Sequence, residues 1–153
     1  MEMNHILIVE DDKDIREAVA IYLKSQGYEV FQAGDGIEGL EMLEREEIHL
    51  AIVDIMMPRM DGITMTMKLR EKHDFPVIML SAKSEEVDKV MGLNIGADDY
   101  VTKPFTPMEL MARVNSQMRR YKRFMEKLQQ KEQENTDTIY TMGGLELNES
   151  TFE

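Results

Sequence analysis

Acidic, hydroxyl and amine side chains follow four short apolar runs of this sequence. They share one position, the point at which a predicted strand ends: Glu10-Asp11-Asp12, Asp54, Ser81 and Lys103. In an open parallel sheet the carboxyl ends of the strands line one crevice, and such folds bind their ligands there. We therefore expect these groups to converge on one site suited to phosphoryl chemistry.

The charge of this site indicates a metal ion. Asp11, Asp12 and Asp54 would come together, and two like charges about 4 Å apart repel by roughly 4 kcal/mol at an effective dielectric of about 20. Mg²⁺ is the expected compensating cation, because it binds one or two carboxylates together with phosphate oxygens. A calcium loop of the D-x-D-x-D type is absent from the sequence.

Each of these residues also has a simpler interpretation when taken alone. The two neighbouring aspartates are good helix caps, Asp54 could be a turn residue, and Ser81 could begin a loop. A lone lysine such as Lys103 is usually a solvated side chain. The bond from Lys103 to Pro104 is a candidate cis peptide that would aim the amine inward.

Alternating strand and helix patterns predict the elements that hold these residues. Apolar runs predict strands near 6–9, 29–33, 50–53, 77–80 and 99–102, with a segment of helical period after each one. The fourth helix is predicted over 85–94, with Gly96 as a left-handed cap, and the fifth begins near Pro107. The predicted fold is α/β, a doubly wound sheet of five parallel strands in the order 2-1-3-4-5 with helices on both faces.

Composition narrows the class of protein. The chain has 153 residues, 30 acidic and 18 basic side chains, a formal charge of -12 and no cysteine. Neither bare nucleic acid nor an anionic membrane is an obvious partner for such a charge. The first residues do not resemble a signal peptide, so we expect a cytoplasmic protein without membrane contact.

Composition also divides the chain. We expect one domain over 1–120, a charged linker or helix extension over 121–137, and an incomplete C-terminal domain over 138–153. The last segment predicts a hairpin with a turn at Gly143-Gly144, and an isolated hairpin is only marginally stable.

Several motifs together resemble one family, the receiver domain of two-component response regulators. They cover about residues 4 to 120 in the family's order: Glu10-Asp11-Asp12, Asp54-Ile-Met-Met-Pro, Met60-Asp61-Gly62, Ser81-Ala82-Lys83, Gly96-Ala-Asp-Asp-Tyr100 and Lys103-Pro104-Phe105. The resemblance implies a flavodoxin-like receiver fold and phosphorylation by a sensor histidine kinase. It implies a signalling protein that catalyses only its own phosphoryl transfer and dephosphorylation.

The resemblance also implies a role for each matching residue. Asp54 would be the phosphoacceptor, and the phosphoryl group would contact Lys103 and Ser81. Mg²⁺ would be held by Asp11, Asp12, Asp54 and the backbone carbonyl of Met56. The aromatic ring of Tyr100 would follow the Ser81 hydroxyl and act as the conformational switch.

The charges resemble the winged-helix (OmpR/PhoB) class, whose active receivers form symmetric dimers through the fourth helix, fifth strand and fifth helix. The expected pairs across the two-fold axis are Lys89 with Glu109, Asp99 with Arg113 and Asp98 with Arg120. In that class DNA is bound by a C-terminal domain that is missing from this sequence. Residues 87–93 and 117–124 resemble regulators associated with glycopeptide resistance.

Three other functions agree less well with the sequence. A flavodoxin-like FMN binder would need a phosphate loop after the first strand, where two aspartates would repel the phosphate. A phosphatase of the haloacid-dehalogenase type would need an aspartate at position 56, which is Met56. A degenerate receiver would have lost a catalytic position, and none is lost.

Overall fold

The sheet has the predicted strands and order. The computed structural model describes residues 3–82 and 94–143, with side chains described as far as residue 131. The strands are β1 (His5–Val9), β2 (Glu29–Ala33), β3 (Leu50–Asp54), β4 (Val77–Ala82) and β5 (Asp99–Lys103). All neighbours are parallel, in the order β2-β1-β3-β4-β5, which confirms the predicted fold.

Helices cover the sheet on both sides. Four are described: α1 (Lys13–Ser25), α2 (Gly36–Arg45), α3 (Gly62–Arg70) and a C-terminal helix (Pro107–Gly143). Side chains of Asp12, Asp35 and Asp61 accept backbone N–H groups at the starts of α1, α2 and α3. Most of the helix predicted over 85–94 lies outside the described residues, whereas Gly96 has the predicted positive φ, 108°.

The core lies on both faces of the sheet. One cluster includes Ile6, Ile8 and Ile52 from the strands, with Leu23 of α1 and Leu110 of the C-terminal helix. On the opposite face, α2 and α3 contact each other. The central strands are mostly apolar before their carboxyl ends because a parallel sheet between two helical layers is buried on both faces.

The C-terminal part differs from the prediction. The chain divides into a compact unit ending at Met118 and a second unit from Arg119 onward. Residues 121–137 are helical, which is one of the two predicted alternatives, but residues 138–142 are also helical. The first strand of the predicted hairpin is therefore wrong, since a continuing helix supplies local hydrogen bonds that a lone hairpin strand lacks. Residues 144–147 lie outside the described residues.

In the part of the chain that the structure describes, no helix has the length and apolar character needed to cross a membrane.

Candidate functional site

The predicted convergence is seen at the carboxyl edge of the sheet. The amine of Lys103 at the end of β5 lies 2.8 Å from Glu10 Oε1 and 3.2 Å from Asp54 Oδ1. Glu10 directly follows β1 and Asp54 ends β3, and both carboxylates are almost fully buried. The Lys103-Pro104 peptide bond is cis, as predicted.

Three carboxylates make an acidic cluster. Glu10, Asp11 and Asp54 each place one oxygen so that the three oxygens lie within 4.8 Å of one another. Burial, followed by the charge and hydrogen bond of Glu10, raises the pKa of Asp54 to about 7, although Lys103 opposes the shift. Burial alone would lower the pKa of Lys103, but the two carboxylates outweigh it and raise that pKa. Lys103 contacts two of the three acids, Glu10 and Asp54, and the oxygen-only donor set of the cluster fits a hard divalent cation.

Asp12 was predicted in this cluster and is not among its members. Its Oδ1 accepts hydrogen bonds from Asp14 N at 3.0 Å and Ile15 N at 3.2 Å. It caps α1, whose first N–H groups have no partner within the helix. Its own N–H donates to Glu10 Oε2 at 3.1 Å, so Asp12 helps to hold the carboxylate that takes its place.

Register explains why Glu10, which was expected at this edge but not as a member of the acidic cluster, joins the cluster instead of Asp12. In the β1/β3 pairing Ile8 lies beside Ile52 and Val9 beside Val53, so the next pair is Glu10 and Asp54. Their side chains share one face because successive residues of a strand alternate. The sequence does contain a signal for this position. Glu10 follows the core residues Ile6 and Ile8 at the two-residue spacing of a strand, and it lies one residue beyond the end of β1.

The Ser81 hydroxyl is buried at the same edge. Ser81 is 1 % exposed, and its Oγ has no hydrogen-bond partner among the described residues. A buried hydroxyl without a partner costs about 1–3 kcal/mol, so such a group is suited to bind an acceptor that arrives later. Phosphoryl oxygens are acceptors of this kind.

Tyr100 and Met56 are the remaining predicted site residues, and their predicted roles stay predictions. Tyr100 is half-buried on β5, and its backbone N–H donates to Asp99 Oδ1 at 2.8 Å. The side chain of Met56 is 65 % exposed, so only its backbone is suited to the predicted role.

Two predicted dimer aspartates have partners within their own chain. Asp99 Oδ1 accepts from Arg113 at 2.8 Å, and Asp98 Oδ2 accepts from Arg70 at 2.7 Å and from Val77 N at 2.8 Å. The predicted partners across a two-fold axis were Arg113 for Asp99 and Arg120 for Asp98, and these contacts between two copies stay a prediction. Lys89 lies outside the described residues, and Arg120 is exposed.

An ion pair supports the loop that follows Asp54. Arg59, at φ 63°, contacts Asp35 Oδ2 through Nε and a terminal nitrogen, both at 2.6 Å. Asp35 Oδ1 also accepts from Glu38 N at 2.9 Å and caps α2. Burial would raise the pKa of Asp35, but the hydrogen bonds from Arg59 and Glu38 outweigh it and lower the pKa below the ordinary 3.8.

This lowered pKa predicts a loss of stability in acid. The stabilisation that ionised Asp35 provides is fully present above about pH 4. It is lost as the pH falls through the lower pKa of Asp35 in the folded chain. Asp35→Asn keeps the cap, so the free energy of unfolding should differ from the wild type more at pH 7 than near pH 3. Urea unfolding at both pH values measures this. Asp74→Asn, on an exposed side chain, is the control, and an Asp35→Asn difference that does not change with pH would contradict the prediction.

Gly62 sets how closely α3 approaches the end of β3. A Cβ there would collide with the carbonyl group of Asp54, and Gly62 N donates to Ile55 O at 2.9 Å. Gly62→Ala is therefore expected to lower the free energy of unfolding by about 1–3 kcal/mol, measured by urea unfolding. The control is Gly34→Ala, where a Cβ would meet a Glu38 carboxylate oxygen at 3.5 Å. Equal free energies of unfolding for the two variants would show that α3 does not approach the end of β3 closely at Gly62.

Fold and site together define a class, α/β proteins with an acidic, lysine-bearing crevice at the carboxyl edge of a parallel sheet. The family model of the response regulator receiver domain matches residues 6–115, and the chain belongs to this family. The flavodoxin-like and phosphatase alternatives are thereby set aside.

Sequence comparison with two named regulatory proteins supports this assignment. The regulatory protein VanR of Enterococcus faecium is 48% identical over 148 residues, which are 97% of this chain and 62% of that protein. VanRc of Enterococcus gallinarum is 46% identical over 119 residues, 78% of this chain and 52% of that protein. The chain therefore spans about half to three-fifths of the length of these relatives. Their names agree with the resemblance to glycopeptide-resistance regulators.

Solved structures give the same fold. The receiver domain of the Francisella response regulator 1452 superposes with a TM-score of 0.72 at 36% identity, over 76% of this chain and 98% of that one. A CheY-like receiver domain protein from Methanospirillum hungatei gives 0.75 at 32% identity, over 80% and 98%.

Proposed function

We propose that this chain is the phosphorylation-activated receiver of a two-component system, with Asp54 as the phosphoacceptor. A carboxylate oxygen of Asp54 attacks the phosphorus of a phosphohistidine on a sensor kinase. The O–P bond forms, the P–N bond breaks, and the imidazole leaves and takes up a proton. The observation that carries this proposal is the convergence at one edge of the sheet of Asp54, Lys103 and a Ser81 hydroxyl that has no partner among the described residues.

The residues around Asp54 have different roles in phosphoryl transfer. Lys103 and Ser81 bind the equatorial oxygens, on which the charge of a phosphoryl transition state is spread. Glu10 orients Lys103 through its 2.8 Å contact. Asp11, Asp54 and the carbonyl of Met56 would hold Mg²⁺, with Glu10 beside them. When bound, the ion neutralises charge on the phosphoryl oxygens. Attack by water on the acyl phosphate would later return Asp54 to the carboxylate.

The signal would leave through β5. Once the Ser81 hydroxyl binds the phosphoryl group, the Tyr100 ring can turn inward, which shifts an existing balance between two states. The face formed by the predicted fourth helix, β5 and the C-terminal helix would then pair with its copy. Asp98 and Asp99 would have to share or exchange their present partners, Arg70 and Arg113.

The phosphorylated state is expected to dimerise. Light scattering of the chain with Mg²⁺ should show a rise in mean mass when beryllofluoride, a stable mimic of the phosphoryl group, is added. Asp54→Asn is the matched control, because it removes the oxygen to which the mimic binds. A mass that beryllofluoride leaves unchanged would refute phosphorylation-dependent dimerisation.

The complete protein would act on transcription in the cytoplasm. These relatives are longer than this chain, and we propose that the complete protein has a further C-terminal domain beginning within 138–153. We propose that this domain is a winged helix that binds DNA. Phosphotransfer from a radiolabelled histidine kinase tests the central step, and label that appears on the chain and is lost in alkali is the expected result.

A further inference from the structure

The loop between β3 and α3 contains a residue with a strained backbone. Arg59 has a φ of 63°, and it is the central residue of a three-residue turn in which Met60 N donates to Pro58 O at 2.6 Å. A positive φ at the centre of such a turn belongs to its rare and strained form. Strain of this kind persists only where the surrounding structure holds it, and it is concentrated at functional sites. The side chain of Arg59 supplies contacts that hold it.

Two nitrogens of Arg59 contact one buried carboxylate. Its Nε and a terminal nitrogen lie 2.6 Å from Asp35 Oδ2, and the side chain of Asp35 is only 7 % exposed. The other oxygen, Asp35 Oδ1, accepts from Glu38 N at the start of α2. Hydrogen bonds between charged groups are among the stronger ones in proteins. Arg59 is therefore fixed to the start of a helix by a carboxylate that is itself held in place.

These contacts lie on one side of Met56, and a second anchor lies on the other. Ile55 N donates to Leu80 O of β4 at 3.0 Å, which fixes the residue before Met56. The contact between Arg59 and Asp35 fixes the turn that begins two residues after Met56. The side chain of Met56 is 65 % exposed, so its own packing does little to place its backbone carbonyl. The position of this carbonyl therefore depends on the anchors on its two sides.

We propose that Arg59 is a positioning residue for Mg²⁺ binding, which holds the Met56 carbonyl in the place that the ion requires. This inference rests on the proposed function, in which that carbonyl and the carboxylates of Asp11 and Asp54 hold the ion. Mg²⁺ demands nearly ideal octahedral geometry, so a displaced ligand weakens its binding. Loss of a contact that orients a metal ligand typically lowers the affinity by about 10–100-fold.

Arg59→Gly tests this inference, because charge and positioning predict opposite results. Glycine adopts a positive φ without strain and removes the guanidinium group. If Arg59 acted only through its charge, the loss of one positive charge would strengthen the binding of a cation. Positioning instead predicts that the Mg²⁺ Kd rises by about tenfold in titration calorimetry. The control is Arg45→Gln, which removes an exposed cation in the last turn of α2 and should leave the Kd unchanged.

Unfolding measurements separate positioning from stability. Arg59→Gly should stay folded, because Gly36 N still donates to Met60 O, at 3.3 Å in the wild type, and the strain is relieved. Its free energy of unfolding in urea without Mg²⁺ should exceed that of Arg59→Ala, which loses the same ion pair and keeps the strain. Both variants should nevertheless show the raised Mg²⁺ Kd. A merely structural role would make the Mg²⁺ affinity follow the stability.

A double-mutant cycle with Asp35→Asn tests the partner of Arg59. Asp35→Asn keeps the cap of α2 but directs an amide N–H group at Arg59, so it should also raise the Mg²⁺ Kd. The double variant should raise the Kd no further, because both substitutions remove one contact. Additive effects, or an Arg59→Gly variant that binds Mg²⁺ at least as tightly as the wild type, overturn this inference alone. A wild-type chain that does not bind Mg²⁺ overturns it together with the metal role in the proposed function.

Discussion

Asp54→Asn is expected to abolish phosphorylation of the chain by a small phosphodonor in the presence of Mg²⁺. An amide cannot supply the anionic oxygen that forms the acyl phosphate. Lys103 lies 3.2 Å from Asp54 Oδ1, so the group that binds the transferred phosphoryl oxygens is already at the attacking atom. Intact-mass spectrometry should show one added phosphoryl group on the wild type and none on the variant.

The fold of this variant should be retained. Asparagine has the shape of aspartate and removes the repulsion with Glu10 that contributes to the raised pKa of Asp54. Its free energy of unfolding should therefore equal or exceed that of the wild type, which separates lost chemistry from lost structure. Asp61→Asn is the matched control, because Asp61 caps α3 through Thr64 N at 2.7 Å and an asparagine can do the same. Undiminished labelling of Asp54→Asn would refute the assignment.

The sheet could be predicted because its signals are local. Each strand is a short apolar run, each crossover has helical period, and parallel strands with right-handed connections leave few possible orders. The predicted range 29–33 is the observed β2, and Pro107 begins the C-terminal helix as expected. Asp54, Ser81 and Lys103 follow from the same logic, because the ends of parallel strands share an edge.

Contacts that depend on register and tertiary geometry could not be predicted in this way. Glu10 enters the cluster because β1 and β3 align so that it lies beside Asp54, and sequence alone does not fix that alignment. Arg113 contacts Asp99 within one chain, and the sequence did not predict this contact in addition to the one expected between two copies. A pattern of charged residues predicts the charge of the side chains that will pair, but it does not predict whether they belong to the same chain or to a second copy.

The length of the C-terminal helix is a case in which local signals competed. Residues 138–142 contain Ile139 and Tyr140, which favour a strand, and the following glycines favour a turn. The preceding Lys, Glu and Gln residues favour a helix, and an established helix gains a hydrogen bond with each added residue. A strand gains comparable bonds only when a partner strand is present, so the helix continues to Gly143.

Neighbouring aspartates separate metal binding from helix capping. Asp11→Asn is expected to weaken Mg²⁺ binding by at least about tenfold, because it removes the charge of one carboxylate of the cluster. Asp12→Asn should bind Mg²⁺ like the wild type, since the Asp12 carboxylate bonds to Asp14 N and Ile15 N. The chain contains no tryptophan, so titration calorimetry is the suitable measurement.

Substitutions at the same two positions should have the opposite order of effect on the free energy of unfolding. Asp12→Ala removes the cap of α1 and is expected to cost about 1 kcal/mol, whereas Asp11→Ala should cost less because Asp11 is exposed and lies near other acids. Urea unfolding without Mg²⁺ measures this difference. If Asp12→Asn lost Mg²⁺ affinity as strongly as Asp11→Asn, the cluster of Glu10, Asp11 and Asp54 would not be the metal site, and the pair first expected from the sequence would be correct.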